Sequence, residues 1–433
     1  MYLTGIKSGK KTTVSSIKEK ISSLGKNRDA KTIVGNFAWL SALQVASYAF
    51  PLITMPYLAQ VIGVEGFGKI AFASAIVFWI QIISEWGFNQ TATRDLAQNR
   101  DNPQQVSEIF SNTLWARILL MLVCFIILVV LILTIPKFKE NWTILLVTFL
   151  SIPGHILFPD WFFQAIEKMK YISVLNIFMK LFFTVMVFIF INDKNDYILQ
   201  PLFISLGFFA SGVIAMYIIL CKWHVKIYTP QIKTIISYIK DSADVFINNV
   251  APNLYSSFSQ ILLGIMGCTT ANGIYEGGNK FYQITSNLLS ILTRTFFPFL
   301  SRKPEKHNIF VLITMGASIL VAILLYVLAP FLTQVILSAE FADSIIVIRI
   351  FAVSLIFVML YNCYGMCFLI IHKKEKILRQ ITIAVSICGF LISWFLVNKY
   401  SYIGAALTVA ICRMLLGIIT FIAAKRVQNA LNR

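Results

Sequence analysis

One stretch of the 433-residue chain carries acidic, basic and amide side chains at a spacing that could do chemistry: Glu276, Lys280, Gln283, Asn287, Ser290 and Arg294. At about 100° per residue these positions fall within about 40° of one line along a helix. A helix over residues 273–300 therefore presents one polar stripe on an otherwise apolar segment. Cations on such a stripe attract anions, and an arginine fork can take two phosphate oxygens at once. Two roles fit. The stripe is the wall of a water-filled cavity for an anionic head group, or it is a buried Glu276–Lys280 pair within a hydrogen-bonded seam. We expect the cavity, with Lys280 and Arg294 as its cations and Gln283 and Asn287 beside them.

Other polar sets share faces. Asn249, Asn253, Ser256 and Gln260 repeat at helical spacing beside Pro252, and their amides suit carbohydrate hydroxyls because an amide both donates and accepts. They suit interhelical hydrogen bonding equally well. Ser74, Gln81 and Glu85 align, with Asn89 nearby. Burial raises a carboxylate's pKa, so Glu85 is a candidate for proton coupling, as are Glu276 and Asp160; a pair between Glu85 and Arg117 is the alternative. Asp160 and His155 flank a proline-rich break, "PGHILFPDW", where a satisfied helix-break cluster also fits. Arg94, in "TRDLAQNR", is either a contact for an anionic group or a topogenic anchor. Arg349 and Arg413 sit on apolar segments, where they line a cavity or pair with Asp244 or Asp343.

The segments that position these residues belong to a membrane protein. The chain is 58% hydrophobic and only 13% charged, against about 25% charged in soluble domains. Runs such as "ILLMLVCFIILVVLILTI" at 118–135 are as long as a bilayer core requires. Apolar runs and their breaks predict an all-α polytopic membrane protein of about twelve transmembrane helices: 33–60, 67–90, 108–135, 142–165, 171–191, 198–221, 241–267, 273–300, 308–331, 344–371, 378–397 and 402–424. "GVEGFG" at 63–68 reads as the turn between the first two. With the N-terminus inside, 26 of the 37 Lys and Arg fall in cytoplasmic segments and five outside, so the positive-inside rule puts both termini in the cytoplasm. The net charge of +18 is then a topogenic and anionic-lipid signal, with no nucleic-acid partner. Six cations remain near or within spans: Arg117, Lys180, Lys280, Arg294, Arg349 and Arg413.

Three regions follow: a basic cytoplasmic tail at 1–31 with no cleaved signal peptide, a six-helix lobe at 32–225 and a second at 226–433. A weak internal echo supports the two lobes. The glycine-rich stretch at 56–73 is echoed at 263–283, each after a helix with an interior proline and before a helix with a polar face. Seven cysteines lie almost wholly in apolar runs, which indicates no disulfide framework. Cys363 and Cys367 share a helix face, but no His flanks them and no metal or cofactor is expected.

"PYLAQVIGVEGFGKIAFA" (56–73), "EWGFNQTATRDLAQNRDN" (85–102), "FPDWFFQAIEKMKYISVLNIFMKLFF" (158–183) and "GIYEGGNKFYQITSNLLSILTRTFFPFLSRK" (273–303) together resemble the bacterial polysaccharide repeat-unit, or O-antigen, flippase family. That family belongs to the multidrug/oligosaccharidyl-lipid/polysaccharide exporter superfamily. Val64 stands where the family usually has Pro, and Ala165 where it often has Gly. The resemblance implies two six-helix lobes around a central cleft, and alternating access between the cytoplasmic and outer faces of the inner membrane. The implied substrate is an undecaprenyl-pyrophosphate-linked oligosaccharide. Membrane lipids, a polysaccharide polymerase and chain-length machinery are the further partners it implies.

The expected site is thus a cationic cavity of Arg294, Lys280, Arg349, Arg413 and Arg94 with the amides Asn249, Asn253, Gln260, Gln283 and Asn287. Two other functions compete. A multidrug cation antiporter needs an acidic cavity, and the deep acids are few. A membrane enzyme that modifies glycolipids needs a large external loop or a catalytic His/Asp/Glu cluster, and neither is visible, nor is any P-loop, GxSxG or HExxH motif.

Overall fold

The computed structural model describes residues 28–250 and 253–431. Most of the basic tail, Pro252 and Arg433 lie outside them. The described residues contain helices and no strand. In a bilayer this satisfies every backbone group within its own segment.

The chain opens with α1 (Arg28–Val61), which carries Pro51 and Pro56 inside it, and α2 (Gly63–Glu85). The reversal between them is shorter than expected. It occupies Ile62 and Gly63, the latter with φ +65°, a conformation only glycine adopts freely. The rest of "GVEGFG" forms the first turns of α2, so Gly66 and Gly68 are packing residues and not turn residues. Trp86 and Gly87 end α2 in left-handed conformations. Next come α3 (Phe88–Gln98) and α4 (Pro103–Thr134). Asn102 caps α4 by accepting the Gln104 and Gln105 N–H groups, and Pro103 fills its first position.

The span expected at 142–165 is broken into three pieces: α5 (Trp142–Phe149), α6 (Ser151–Leu157) and α7 (Asp160–Ala165). Pro159 and its non-helical neighbour Phe158 separate the last two. The first half of the chain closes with α8 (Met169–Phe190) and α9 (Leu199–Lys222).

A linker and α10 (Ile232–Asp241) follow. The linker is strapped to α4: Ser111 Oγ donates to the Lys226 carbonyl at 3.1 Å and accepts the Tyr228 N–H at 2.9 Å. Ser107 Oγ accepts the Lys226 N–H at 3.1 Å, and Trp115 Nε1 donates to the Tyr228 carbonyl at 3.0 Å. Ile235 of α10 is buried in the same core as α4 and α7.

The second half holds α11 (Ala243–Val250), α12 (Asn253–Met266) and the 34-residue α13 (Thr269–Arg302). Beyond it lie α14 (His307–Ile336), α15 (Ser344–Tyr361), which runs into a π-helical stretch at Asn362–Leu369, and α16 (Glu375–Leu431). A non-helical Ser401 (φ 51°, ψ −128°) kinks α16.

Among the described residues, nine helical stretches are long and apolar enough to cross a membrane. The last, Glu375–Ala430, is 56 residues long, enough for two crossings on either side of Ser401. α13 misses the same standard because it carries the polar stripe, and α11 with α12 because they are short. The expected twelve requires counting these as spans too. Lipid-facing chemistry is plain on α4, where Ile126 and Leu133 are 63% and 75% exposed. An outer surface of that kind suits lipid and not water.

The two halves meet chiefly through α2, which packs on α13 and α12. At one end the approach is glycine-dependent from both sides. A Cβ on Gly68 would lie 1.7 Å from the Thr269 carbonyl oxygen, and one on Gly273 would lie 2.0 Å from that of Val64. Beside this contact Glu340 accepts the Val64 N–H at 3.0 Å and pairs with Lys194 at 2.7 Å. At the other end Trp86 stacks on Phe246 at 3.8 Å and donates to the Ile239 carbonyl at 2.8 Å, while Thr91 and Ser242 share a hydrogen bond of 2.8 Å. In the first half Arg100 pairs with Glu167, and Asn36 Nδ2 donates to the Glu167 carbonyl.

Candidate functional site

Between these two closures lies a cavity of about 750 Å³ bounded by α1, α2, α8, α9, α12 and α13. Its α13 wall is the stripe read from the sequence: Glu276, Lys280, Gln283 and Asn287 all line it, and Gln260 joins them from α12. Both roles weighed for the stripe coexist. Lys280 Nζ lies 2.8 Å from Glu276 Oε1, while Glu276 Oε2 accepts Gln260 Nε2 at 3.1 Å and Asn279 Nδ2 at 3.2 Å. The acid is therefore fully engaged.

Among the polar lining residues that sequence reasoning left out of the site, two stand out beside Gln44, Ser47, Tyr48 and Thr54 of α1 and Ser257 of α12. Lys180 enters from α8 and Gln200 from α9. Lys180 was visible only as a lone cation in an apolar helix, and Gln200 as a lone amide. Neither has a helical repeat to announce it. Counting side chains, the cavity holds Lys180 and Lys280 against the single acid Glu276, so its interior is net positive.

The remaining cations stand elsewhere. Arg294 is exposed two turns beyond Asn287 on α13, off the cavity wall. Arg413 lies 3.6 Å over the Tyr282 ring and 4.9 Å over Phe351, and donates to Ser354 Oγ at 3.2 Å. Arg349 sits 5.1 Å over Tyr326. Both arginines are held by aromatic faces, and no ion pair with Asp244 or Asp343 forms among the described residues. Arg94 is exposed and pairs with its neighbour Asp95 at 2.8 Å. Asn253 donates to the Asn249 carbonyl at 2.9 Å, and neither lines the cavity.

The candidate proton carriers divide. Only Glu276 reaches the cavity. Glu85 accepts Gln81 at 2.9 Å and Asn89 at 3.3 Å. Asp160 accepts the Trp161 N–H at 2.8 Å, which ties it to the start of its own helix. His155 packs on Phe208, 3.7 Å between ring centres. Arg117 is 3% exposed, donates to the His155 carbonyl at 3.3 Å, and leaves Nε and Nη1 without a partner. No group of His, Cys, Asp and Glu among the described residues is arranged to hold a metal.

The Glu340 bridge carries a pH dependence with a definite sign. Lys194 first, and then the Val64 N–H, hold the Glu340 carboxyl below its usual range. The bridge is therefore complete above about pH 4.3, the ordinary glutamate value, and is lost as pH falls through the lowered one. With Glu340 42% exposed, water and salt moderate the effect. A nitroxide fixed at residue 74, relaxed by a neutral water-soluble paramagnetic reagent added from the Glu340 end, is expected to show constant accessibility from pH 8 to 5 and severalfold greater accessibility in acid. Glu340→Gln should show the greater accessibility throughout and no step.

Residues 33–304 match the family described as polysaccharide biosynthesis protein. The chain is 26% identical over 390 residues to the "Putative O-antigen transporter" of Escherichia coli (strain K12), covering 88% of this chain and 94% of that protein. Among solved structures it superposes on a lipid II flippase, MurJ, in an inward closed conformation, with a TM-score of 0.73 at 14% identity, covering 90% and 87% of the two chains. An inward-facing multidrug resistance MATE family transporter of the MOP superfamily gives a TM-score of 0.60 at 14% identity, covering 88% and 95%. These two likenesses are of fold.

Proposed function

The chain belongs to the polysaccharide biosynthesis protein family, and from that premise we propose that it is a flippase for an undecaprenyl-pyrophosphate-linked oligosaccharide. The substrate is the repeat unit of O-antigen or a similar surface polysaccharide. The observation that carries this reading is the net-positive cavity enclosed between two halves, with amides along its α13 wall. An anionic head group and its sugars find there both charge and hydrogen bonds, while the polyprenyl tail stays in the bilayer. Moving a polar head through lipid is opposed by desolvation; a polar cavity that opens first to one face and then to the other removes that barrier. No covalent step is needed, and the protein acts as a transporter.

The same reading places the two lobes at 32–225 and 226–433. The bias of basic residues supports both termini in the cytoplasm of a bacterial inner membrane. A polymerase and chain-length machinery would take the product. A cation antiporter of the same fold is disfavoured, because the one cavity acid is already committed to Lys280, Gln260 and Asn279.

The test is translocation in liposomes of a fluorescent undecaprenyl-pyrophosphoryl oligosaccharide, read by quenching the outer leaflet. Wild type should expose the inner pool. Lys280→Ala, which leaves Glu276 as an uncompensated negative charge, should slow exposure at least about tenfold. If wild type moves no glycan and instead exchanges lipophilic cations, the flippase reading is wrong.

A further inference from the structure

We infer that Lys180 and Gln200 form the anion-holding subsite of the cavity, for the phosphate or pyrophosphate group of a lipid-borne substrate. This rests on the flippase reading and names a part of it.

Three observations carry the assignment. First, Lys280 is engaged by Glu276 at 2.8 Å, whereas Lys180 lines the same cavity with no carboxylate within ion-pair distance among the described residues. A half-buried ammonium within a membrane-spanning helix is costly unless something completes it. Second, Gln200 Oε1 is buried and has no hydrogen-bond partner, although Gln200 lines the cavity. Whichever way its amide is turned, the group holds unspent capacity: as NH₂ it donates to a phosphate oxygen, and as carbonyl it accepts from a sugar hydroxyl or a protonated phosphate. Third, Lys180 and Gln200 belong to α8 and α9 of the first half, and Lys280 to α13 of the second. An anion at Lys180 therefore lies in a cavity walled by both halves, and a multiply charged one gains more from its net-positive lining than a singly charged lipid head does.

The arginines named from the sequence do not compete for this role. Arg413 and Arg349 are stacked on aromatic rings away from the cavity, and Arg294 stands off its wall.

The experiment is binding of undecaprenyl pyrophosphate to the purified full chain in detergent, alongside inorganic pyrophosphate and phosphatidylglycerol. Transport by the same preparations is measured in liposomes. Wild type should bind undecaprenyl pyrophosphate with an affinity that weakens with salt, and phosphatidylglycerol at least about tenfold less tightly. Lys180→Gln should lose about tenfold or more in binding, the effect of one charge-assisted hydrogen bond, and Lys180→Arg should restore most of it. Gln200→Leu, which leaves every charge in place, should weaken binding severalfold and serves if Lys180→Gln does not fold. Binding of inorganic pyrophosphate with the same Lys180 dependence would support a phosphate subsite that does not need the lipid.

Full affinity in both Lys180→Gln and Gln200→Leu overturns the subsite. So does equal binding of phosphatidylglycerol. In either case, continued oligosaccharide translocation by wild type leaves the flippase reading standing. Absence of both binding and translocation in wild type removes that reading instead.

Discussion

Gly68→Val and Gly273→Val are each expected to abolish oligosaccharide translocation while leaving the protein inserted in the membrane. The two glycines let α2 and α13 touch backbone to backbone, and a Cβ at either position would sit at 1.7 Å or 2.0 Å from a carbonyl oxygen of the opposite helix. No rotamer relieves such a clash, because the offending atom is Cβ itself and its neighbour is main chain. The helices must separate. Forced overpacking of this kind commonly costs about 1–3 kcal/mol, comparable to the gap between two conformations of a transporter. The variants should therefore populate a form open at the Glu340 end, read as a gain in labelling of a cysteine at Ser74 from that face. Gly316→Val is the control. A Cβ on Gly316 meets nothing within 4 Å, so this substitution in α14 should transport as wild type does. If Gly68→Val transports normally, the α2–α13 contact is not the closure that turnover must make.

Glu276→Gln is expected to tighten anion binding and slow release. The wild-type carboxylate neutralises Lys280 and is held by Gln260 and Asn279. An amide of the same shape, with its oxygen toward Gln260 and Asn279, keeps those two hydrogen bonds but turns its NH₂ to Lys280 and removes the charge, so the cavity acquires a second uncompensated cation. At an effective dielectric of about 20 a close charge pair is worth a few kcal/mol, and even after discounting for the 40% exposure of Lys280 a gain in affinity of about tenfold is expected. Turnover should fall by a similar factor, because a ligand stabilised in the bound state must climb further to leave. Single-turnover release from preloaded liposomes separates this from a folding defect, which would lower binding instead. Faster release in the variant would show that Glu276 holds the substrate and does not temper the cations.

The polar stripe on α13 and the amide of Gln260 were legible in the sequence because helical periodicity places them on one line. The two-sided closure was half legible. Glycines at 63–68 and 273–278 marked close backbone geometry, but only Gly63 serves the turn, and the partners of Gly68 and Gly273 are set by packing between distant helices. The arginines misled for a physical reason. An intramembrane guanidinium can be satisfied by aromatic faces, as Arg413 is by Tyr282 and Phe351, and aromatic residues in apolar helices are too common to signal that role. Lys180 and Gln200 were the converse, single polar groups without a period, brought to one cavity by α8 and α9. The break at Ser401 was legible as the gap between the spans at 378–397 and 402–424, and the prolines of "PGHILFPDW" marked a break near Pro159, but not the division of 142–165 into three pieces.

The strap that Ser107, Ser111 and Trp115 place on residues 226–228, with Ile235 sunk in the first half's core, leaves the joint between the halves almost no slack. A loose tether would let them slide or part; this one holds the chain to the first half as far as Ile235, so opening the cavity at this end must part the contacts beyond it, Thr91–Ser242 and Trp86–Phe246, about the strap. Motion about a fixed strap has leverage: displacement grows in proportion to distance from it. Spectroscopic labels beside residue 228 and on α4 should change little through the cycle, while pairs placed outward along the interface should report it with steadily increasing amplitude.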